Sequence, residues 1–101
     1  MDVRAAQRQH VATLKLSGRF DFDAHQDFKR AYEPCLAALD VREIRVDLGG
    51  LEDMANSVLG MLLVLRERAR ALDKQVRLTN ARGPVKDVLE NTNFGKLFAT
   101  L

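Results

Sequence analysis

Apolar and polar residues alternate in three stretches of the chain, at residues 11–16 (VATLKL), 43–48 (EIRVDL) and 75–79 (QVRLT). A period of two is typical of a β-strand that buries one face, so each stretch is predicted as a strand. The first strand should stop at Ser17 and Gly18, and residues 3–8 can pair with it as an edge hairpin. Residues 96–101 are predicted as a final strand or a docked tail.

A helical period dominates the segment from Asp23 onward. Its apolar positions are Phe28, Ala31, Tyr32, Cys35, Leu36 and Leu39. This spacing predicts a helix with Asp21 or Asp23 as its N-cap. Pro34 lies inside the pattern and should kink the helix or limit its first half, because proline lacks an amide and crowds the preceding turn. Gly83 and Pro84 should open a short helix further along the chain.

A second long helix is predicted from Ser57 to about Leu72. It is apolar nearly all round for its first two turns, so its N-terminal half should be the most buried helical surface in the domain. Gly60 lies within this half. Since a glycine inside a helix costs about 1 kcal/mol relative to alanine, we expect another backbone to pack closely against it.

Beyond the N-terminal hairpin, predicted strands and helices alternate along the chain. This order predicts an α/β fold with a mostly parallel sheet and right-handed crossovers, which places the functional loops at the carboxyl ends of the strands. The two loops at that edge are residues 19–23 and 49–56.

Length and composition indicate one globular domain over residues 1–101. Apolar residues make up 47% of the 101 residues and charged residues 30%, which argues against disorder. The longest apolar run, residues 58–65, is far shorter than the roughly 20 residues that span a bilayer, and no signal-peptide pattern opens the chain. We expect a cytoplasmic protein without a membrane partner. Cys35 is the single cysteine and is expected in the core.

The net charge of +2 comes from interspersed acidic and basic residues, apart from Arg66, Arg68, Arg70 and Lys74 near the end of the second long helix. Cations there meet the negative end of the helix dipole. This structural interpretation is preferred to direct contact with nucleic acid.

Groups for catalysis are sparse. His10 and His25 lie apart from other metal ligands, so no metal site or cofactor is expected. The carboxylates that share the predicted loop edge are Asp21, Asp23, Glu52 and Asp53. They can cap helices and keep the loops solvated. The alternative is the active site of a metal-dependent hydrolase, but the sequence offers neither a supporting histidine nor a phosphate-binding loop. A protein without catalytic residues is the stronger hypothesis.

Ser57 offers a different chemistry, because its hydroxyl lies at the predicted start of a helix. It can cap the helix, as Asn56 also can, and such a cap contributes roughly 1 kcal/mol. It can also accept a phosphoryl group, since free amides and the positive end of the helix dipole favour a dianion there.

Several segments together resemble a STAS domain, the fold of bacterial anti-sigma factor antagonists. They are GRFDFDAHQDF, EIRVDLGG, the loop LEDMANS leading into VLGMLLVLRERAR, and NTNFGKLFATL. The resemblance implies a mixed, mostly parallel sheet with helices packed mainly on one side. It also implies a non-catalytic module that binds an anti-sigma factor with serine kinase activity. Phosphorylation at the start of the second helix weakens that complex and a phosphatase restores it; a homodimer is compatible with the family.

The family pattern Met-Asp-Ser-Ser-Gly/Ala-Leu-Gly falls on residues 54–60, which places the phosphorylated serine at Ser57. Ala55 replaces the usual Asp, and Asn56 replaces the first serine, which some relatives phosphorylate. By resemblance, the partner-binding residues are Phe20, Asp21, Asp53, Met54, Asn56 and Ser57. The alternative is a structural subunit of a stressosome-like or transporter-associated complex that uses no phosphorylation.

Overall fold

A computed structural model describes residues 1–100 of the protein. The elements are strands β1 (Asp2–Arg8), β2 (Val11–Phe20), β3 (Glu43–Met54), β4 (Gln75–Thr79) and β5 (Ala99–Thr100), with helices α1 (His25–Ala37), α2 (Leu59–Ala71) and α3 (Gly83–Asn91). Single 3-10 turns lie at Phe22–Ala24, Asn56–Val58 and Phe94–Leu97. The predicted final strand is therefore a turn followed by the short β5, and Leu101 lies outside the described residues.

The strands form one sheet in the order β1-β2-β3-β4-β5. β1 runs antiparallel to β2, as the hairpin prediction requires, and the other neighbouring pairs are parallel. The register aligns Leu14 with Val46 and Val46 with Leu78, all of them buried. Successive residues of a strand point to opposite faces, so one face of the sheet is the apolar face that the helices cover. The mixed, mostly parallel α/β fold is confirmed.

The opposite face of the sheet carries a charged cluster. Glu43 is paired with Arg45 on its own strand and with Arg77 of β4, whose Nε lies 2.9 Å from the Glu43 carboxylate. The Glu43 side chain is only 15% exposed. This alternation of buried apolar and half-buried charged positions along β3 is why its sequence was recognisable as a strand.

Strands β2 and β3 both extend beyond their predicted ends. The predicted loops at residues 19–23 and 49–56 are largely strand, because β2 and β3 stay paired up to the contact of Phe20 with Met54. Register shifts near Ser17 and Gly18 allow this extension. Gly50 is needed at the first shift, since a Cβ there would lie 2.7 Å from the carbonyl oxygen of Leu16.

Helix α1 packs its aromatic residues in a row. Phe28 lies between Phe20, with ring centroids 5.1 Å apart, and Tyr32, at 5.2 Å in an edge-to-face arrangement. The guanidinium of Arg68 on α2 lies 5.5 Å from the centre of the Tyr32 ring. These contacts fix α1 against the sheet and beside α2.

Pro34 lies inside helix α1 and does not end it. The expectation that this proline would limit the first half of the helix is therefore wrong. The helix continues to Ala37, and Leu39, predicted on its apolar stripe, lies beyond it with 93% of its surface exposed. Proline removes one helical hydrogen bond. The buried ammonium of Lys74 donates hydrogen bonds to the carbonyls of Cys35 and Ala38 at this helix end.

One expectation about helix α2 is wrong. An added Cβ at Gly60 would have no atom within 4 Å, so no backbone packs closely against this glycine. Val64 is 52% exposed, so the first half of the helix is not buried all round. Apolar residues predict burial only where another element covers them, and one side of α2 is left open.

Candidate functional site

The ends of β2 and β3 bring two separate segments together. The amide of Ala55 donates a hydrogen bond to the carbonyl of Phe20 over 2.9 Å, and Phe20 is aligned with Met54 in the parallel pair. The residues that follow each strand therefore share one end of the domain. We call the surface formed by Asp21, Asp53, Asn56 and Ser57 the Ser57 surface.

Ser57 lies in the 3-10 turn Asn56–Val58, which directly precedes the start of α2 at Leu59. Both Asn56 and Ser57 are exposed. The cap positions of the turn and of α2 are Ala55 and Val58, and neither supplies a side-chain hydrogen bond. The expected capping role of Ser57 and Asn56 is therefore wrong. The hydroxyl instead faces solvent at the positive end of α2, where a phosphoryl group is electrostatically favoured.

The two carboxylates of this surface have defined local partners. Asp21 caps the 3-10 turn Phe22–Ala24, since its Oδ1 accepts a hydrogen bond from the Asp23 amide over 3.0 Å. Asp53 accepts from the Met54 amide over 2.9 Å and lies 3.6 Å from the guanidinium of Arg19. That ion pair is well exposed, so it contributes at most about 1 kcal/mol.

Phe20 and Met54 were expected to contact a partner, but both are core residues. Phe20 is 1% exposed and Met54 is 2% exposed. Their side chains offer no surface to another protein. They support the Ser57 surface from beneath, because each ends a strand whose next residues form that surface. Met61 of α2 is buried in the core.

An apolar groove adjoins Ser57 between α1 and α2. Its volume is about 360 Å³, and it is lined by Phe22, His25, Phe28, Tyr32, Ser57, Gly60, Met61 and Val64. Phe22 is 68% exposed and stacks on the ring of His25, with centroids 6.1 Å apart. The open space at Gly60 forms part of this groove. Large exposed apolar side chains beside a polar rim are typical of a protein interaction site.

Sequence patterns alone missed this groove. Val64 lies in the helix half that was expected to be buried, and Phe22 lies in one of the two predicted loops. Gly60 was the residue that could have indicated the groove. Glycine is unfavourable within a helix, so its presence there points to a structural requirement at that position. That signal was interpreted as close packing, whereas the structure places the glycine at an opening.

Catalytic groups do not converge at this site. Across residues 1–100, no group of three or more His, Cys, Asp or Glu side chains could hold a metal ion. The ring Nδ1 of His10 lies 2.8 Å from the Asp40 carbonyl, and His25 stacks on Phe22. Burial raises the pKa of the Cys35 thiol, with the nearby Lys74 charge acting in the opposite direction. Cys35 is therefore held as a neutral thiol, which is a poor nucleophile.

The sheet order, the helices on one face and the turn before α2 define a small α/β domain with a mixed sheet. Residues 3–99 match the family model described as "Mlab, STAS domain". The chain belongs to the STAS domain family. It is 43% identical over 86 residues to the STAS-domain containing protein PA14_20770 of Pseudomonas aeruginosa (strain UCBPP-PA14), a match that spans 85% of this chain and 83% of that protein.

Solved anti-sigma factor antagonists have the same fold. The antagonist from Mycobacterium paratuberculosis superposes with a TM-score of 0.84 at 19% identity, over 98% of this chain and 83% of that one. The antagonist SpoIIAA in its unphosphorylated form superposes at 0.78 and 17% identity, over 99% and 88% of the two chains. The phosphorylated form of SpoIIAA from Bacillus superposes at 0.72 and 15% identity, over 99% and 91% of the two chains. At these identities the likeness concerns the fold.

The helices of the described chain are all too short or too polar to cross a membrane.

Proposed function

We propose that this STAS domain is an anti-sigma factor antagonist that binds a kinase-type anti-sigma factor through the Ser57 surface and is switched by phosphorylation of Ser57. The observation that carries the proposal is the position of Ser57, an exposed hydroxyl without a capping role at the start of α2. A kinase needs such a hydroxyl, since a buried or hydrogen-bonded one would first have to be released.

The apolar groove beside Ser57 would contribute to the affinity for the proposed partner. An exposed aromatic ring at Phe22 and the exposed Val64 border a concave apolar surface that includes Ser57. Aromatic side chains that are buried on association dominate the energetics of many interfaces. The partner would therefore cover the groove and meet the Ser57 hydroxyl at its edge.

The charges around Ser57 explain how a phosphate would act as a switch. The helix dipole of α2 tolerates a dianion at this position, whereas Asp21 and Asp53 place negative charge on the same surface. A partner matched to the unmodified surface would meet about two additional negative charges after phosphorylation. Affinity would fall without any change of fold, and a phosphatase would restore it.

The test compares binding and phosphate incorporation in three proteins. Ser57→Ala should bind the kinase-type anti-sigma factor of the same organism as tightly as the unmodified protein and gain no phosphate with ATP, while Ser57→Asp should bind at least tenfold more weakly. Intact-mass spectrometry and calorimetry measure the two outcomes. Phosphate on another residue would contradict the switch, and equal affinity of all three proteins would contradict the position of the interface.

Asp21 provides an independent test of the same surface. Asp21→Asn removes the charge but keeps an oxygen that can accept the Asp23 amide, so the turn Phe22–Ala24 stays capped. Asp21→Lys would reverse the charge and remove the cap together, so a loss of binding could not be separated from a loss of stability. Weaker partner binding by Asp21→Asn, with an unchanged melting temperature, is the expected result.

A second candidate function is favoured by Ala55 and Asn56, which stand where the family has Asp and the first serine. A chain without that pair fits a scaffold subunit of a stressosome-like or transporter-associated complex that uses no phosphorylation. Such a subunit would gain no phosphate from a kinase-type partner and would co-purify in a complex of fixed composition. Absence of phosphate together with stable association would favour this function over the first.

A further inference from the structure

A concave basic pocket lies at the opposite edge of the sheet from Ser57. Arg42 immediately precedes β3, Lys74 immediately precedes β4, and α2 contributes Arg66 and Arg70 from its last turns. The pocket has a volume of about 650 Å³. Because β3 and β4 are parallel, their amino ends share this edge, while Ser57 follows the carboxyl end of β3. The pocket is therefore separate from the proposed partner surface.

The charges that line this pocket are unbalanced. Its four cations are accompanied by one carboxylate, Asp73. In the chain from residue 1 to residue 100, the only ion pair made by these cations joins Arg66 to Glu67 at 2.7 Å. Arg42 and Arg70 are exposed and have no carboxylate within ion-pair distance in that range. Arg66 and Arg70 also lie four residues apart on one helix face, where like charges repel.

The cations play different parts. The ammonium of Lys74 donates two of its three N–H groups to carbonyls at the end of α1, so it contributes mainly charge to the pocket. Arg66 donates from Nε to the carbonyl of Leu97 over 2.6 Å, which fixes its side chain against the pocket wall. Arg42 and Arg70 remain as two exposed guanidinium groups that line the same concavity.

We propose that Arg42 and Arg70, supported by Arg66, form a binding site for a small anion that carries more than one phosphate group. A guanidinium presents paired donors that match two phosphate oxygens, and two such groups from separate elements can hold two phosphates. Pockets of 300–1,000 Å³ are of the size that accommodates small molecules. The excess of positive charge is matched by a diphosphate or triphosphate better than by a single carboxylate. The site is independent of the proposed switch at Ser57.

The experiment uses the full chain and inorganic pyrophosphate as the probe, in calorimetry at low ionic strength. Arg42→Gln/Arg70→Gln should weaken binding at least tenfold. The matched control is Arg8→Gln/Arg30→Gln, which removes two exposed arginines from β1 and α1 and thus the same net charge. This control should change affinity less than about threefold, and melting temperatures verify that both variants are folded.

Two outcomes would overturn the proposal. Equal weakening in both double variants would show that net charge alone attracts the probe. No saturable binding of pyrophosphate up to about 1 mM would show that the pocket holds no such anion. Parallel titrations with ATP and with a diphosphorylated peptide distinguish the source of the phosphates, since tighter binding of one identifies additional contacts. Unchanged partner binding in Arg42→Gln/Arg70→Gln is expected, because partner binding is assigned to the other edge of the sheet.

Discussion

Lys74 and Cys35 connect two elements that are far apart in the sequence: the Lys74 ammonium donates a hydrogen bond to the Cys35 carbonyl over 3.0 Å. A second hydrogen bond reaches the carbonyl of Ala38. Both carbonyls lie at the C-terminal end of α1, where the helix has no further amides to offer. The positive charge also meets the negative end of the helix dipole. Lys74 thereby fixes the end of α1 to the start of β4.

The first prediction is that Lys74→Met lowers the free energy of unfolding by about 2 kcal/mol. It removes the Lys74 donor from the buried Cys35 carbonyl and one of two donors from the Ala38 carbonyl, which also accepts from the Val41 amide over 3.3 Å. Urea denaturation measures the change. Lys86→Met is the matched control, since Lys86 is exposed on α3 and lies 3.8 Å from Glu90. It should shift stability by no more than about 0.5 kcal/mol. Equal losses in both variants would contradict a capping role for Lys74.

The sequence predicted the elements of this fold well where one face of a strand is buried. Strand β4 begins and ends as its alternation indicates, because its pairing with β3 buries Val76 and Leu78 on one side. The placement of Asp21 and Ser57 at the same end of the sheet also followed from strand order, since parallel strands end at one edge. Such predictions succeed because burial of one face of a strand requires apolar residues at every second position, and this period is visible in the local sequence.

What the sequence did not predict depends on contacts between distant elements. The continuation of β3 through Gly49 and Gly50 required an extra residue in β3 relative to β2, and a Gly-Gly pair is equally typical of a turn. The exposure of Val64 depends on how far apart α1 and α2 lie. Lys74 was interpreted as part of the charge at the end of α2, whereas it is buried and caps α1. Residue types alone do not specify which helix end a lysine reaches.

The second prediction concerns two glycines with opposite surroundings. Gly60→Ala should raise the free energy of unfolding by up to about 1 kcal/mol, because the helix gains propensity and the new methyl group enters open space. Gly50→Ala should lower it by about 1–3 kcal/mol, since its Cβ would lie 2.7 Å from the Leu16 carbonyl oxygen. Thermal and urea denaturation measure both. Destabilisation by Gly60→Ala would show that the groove closes over this position.

The third prediction follows from the buried thiol of Cys35, whose pKa is raised by burial above its ordinary value of 9.0. The native state then holds the thiol proton more tightly than the unfolded state. The stability from the neutral thiol is complete below pH 9.0 and is lost as the pH rises through the native pKa. We expect the stability difference between the natural protein and Cys35→Ala to shrink above that pH in urea titrations. A constant difference across this range would contradict it.

The last prediction tests the groove between α1 and α2 as part of the partner interface. Val64 and Leu72 are both 52% exposed and both lie on or at the end of α2, but only Val64 lines the groove. Val64→Asp should weaken binding of the anti-sigma factor at least tenfold, because a carboxylate in an apolar interface must be desolvated without a partner. Leu72→Asp should leave affinity within about threefold. Both substitutions replace an exposed apolar residue by the same charge, so a difference between them reports on position alone. Equal affinities of the two variants, measured by calorimetry with folded protein, would place the interface outside the groove.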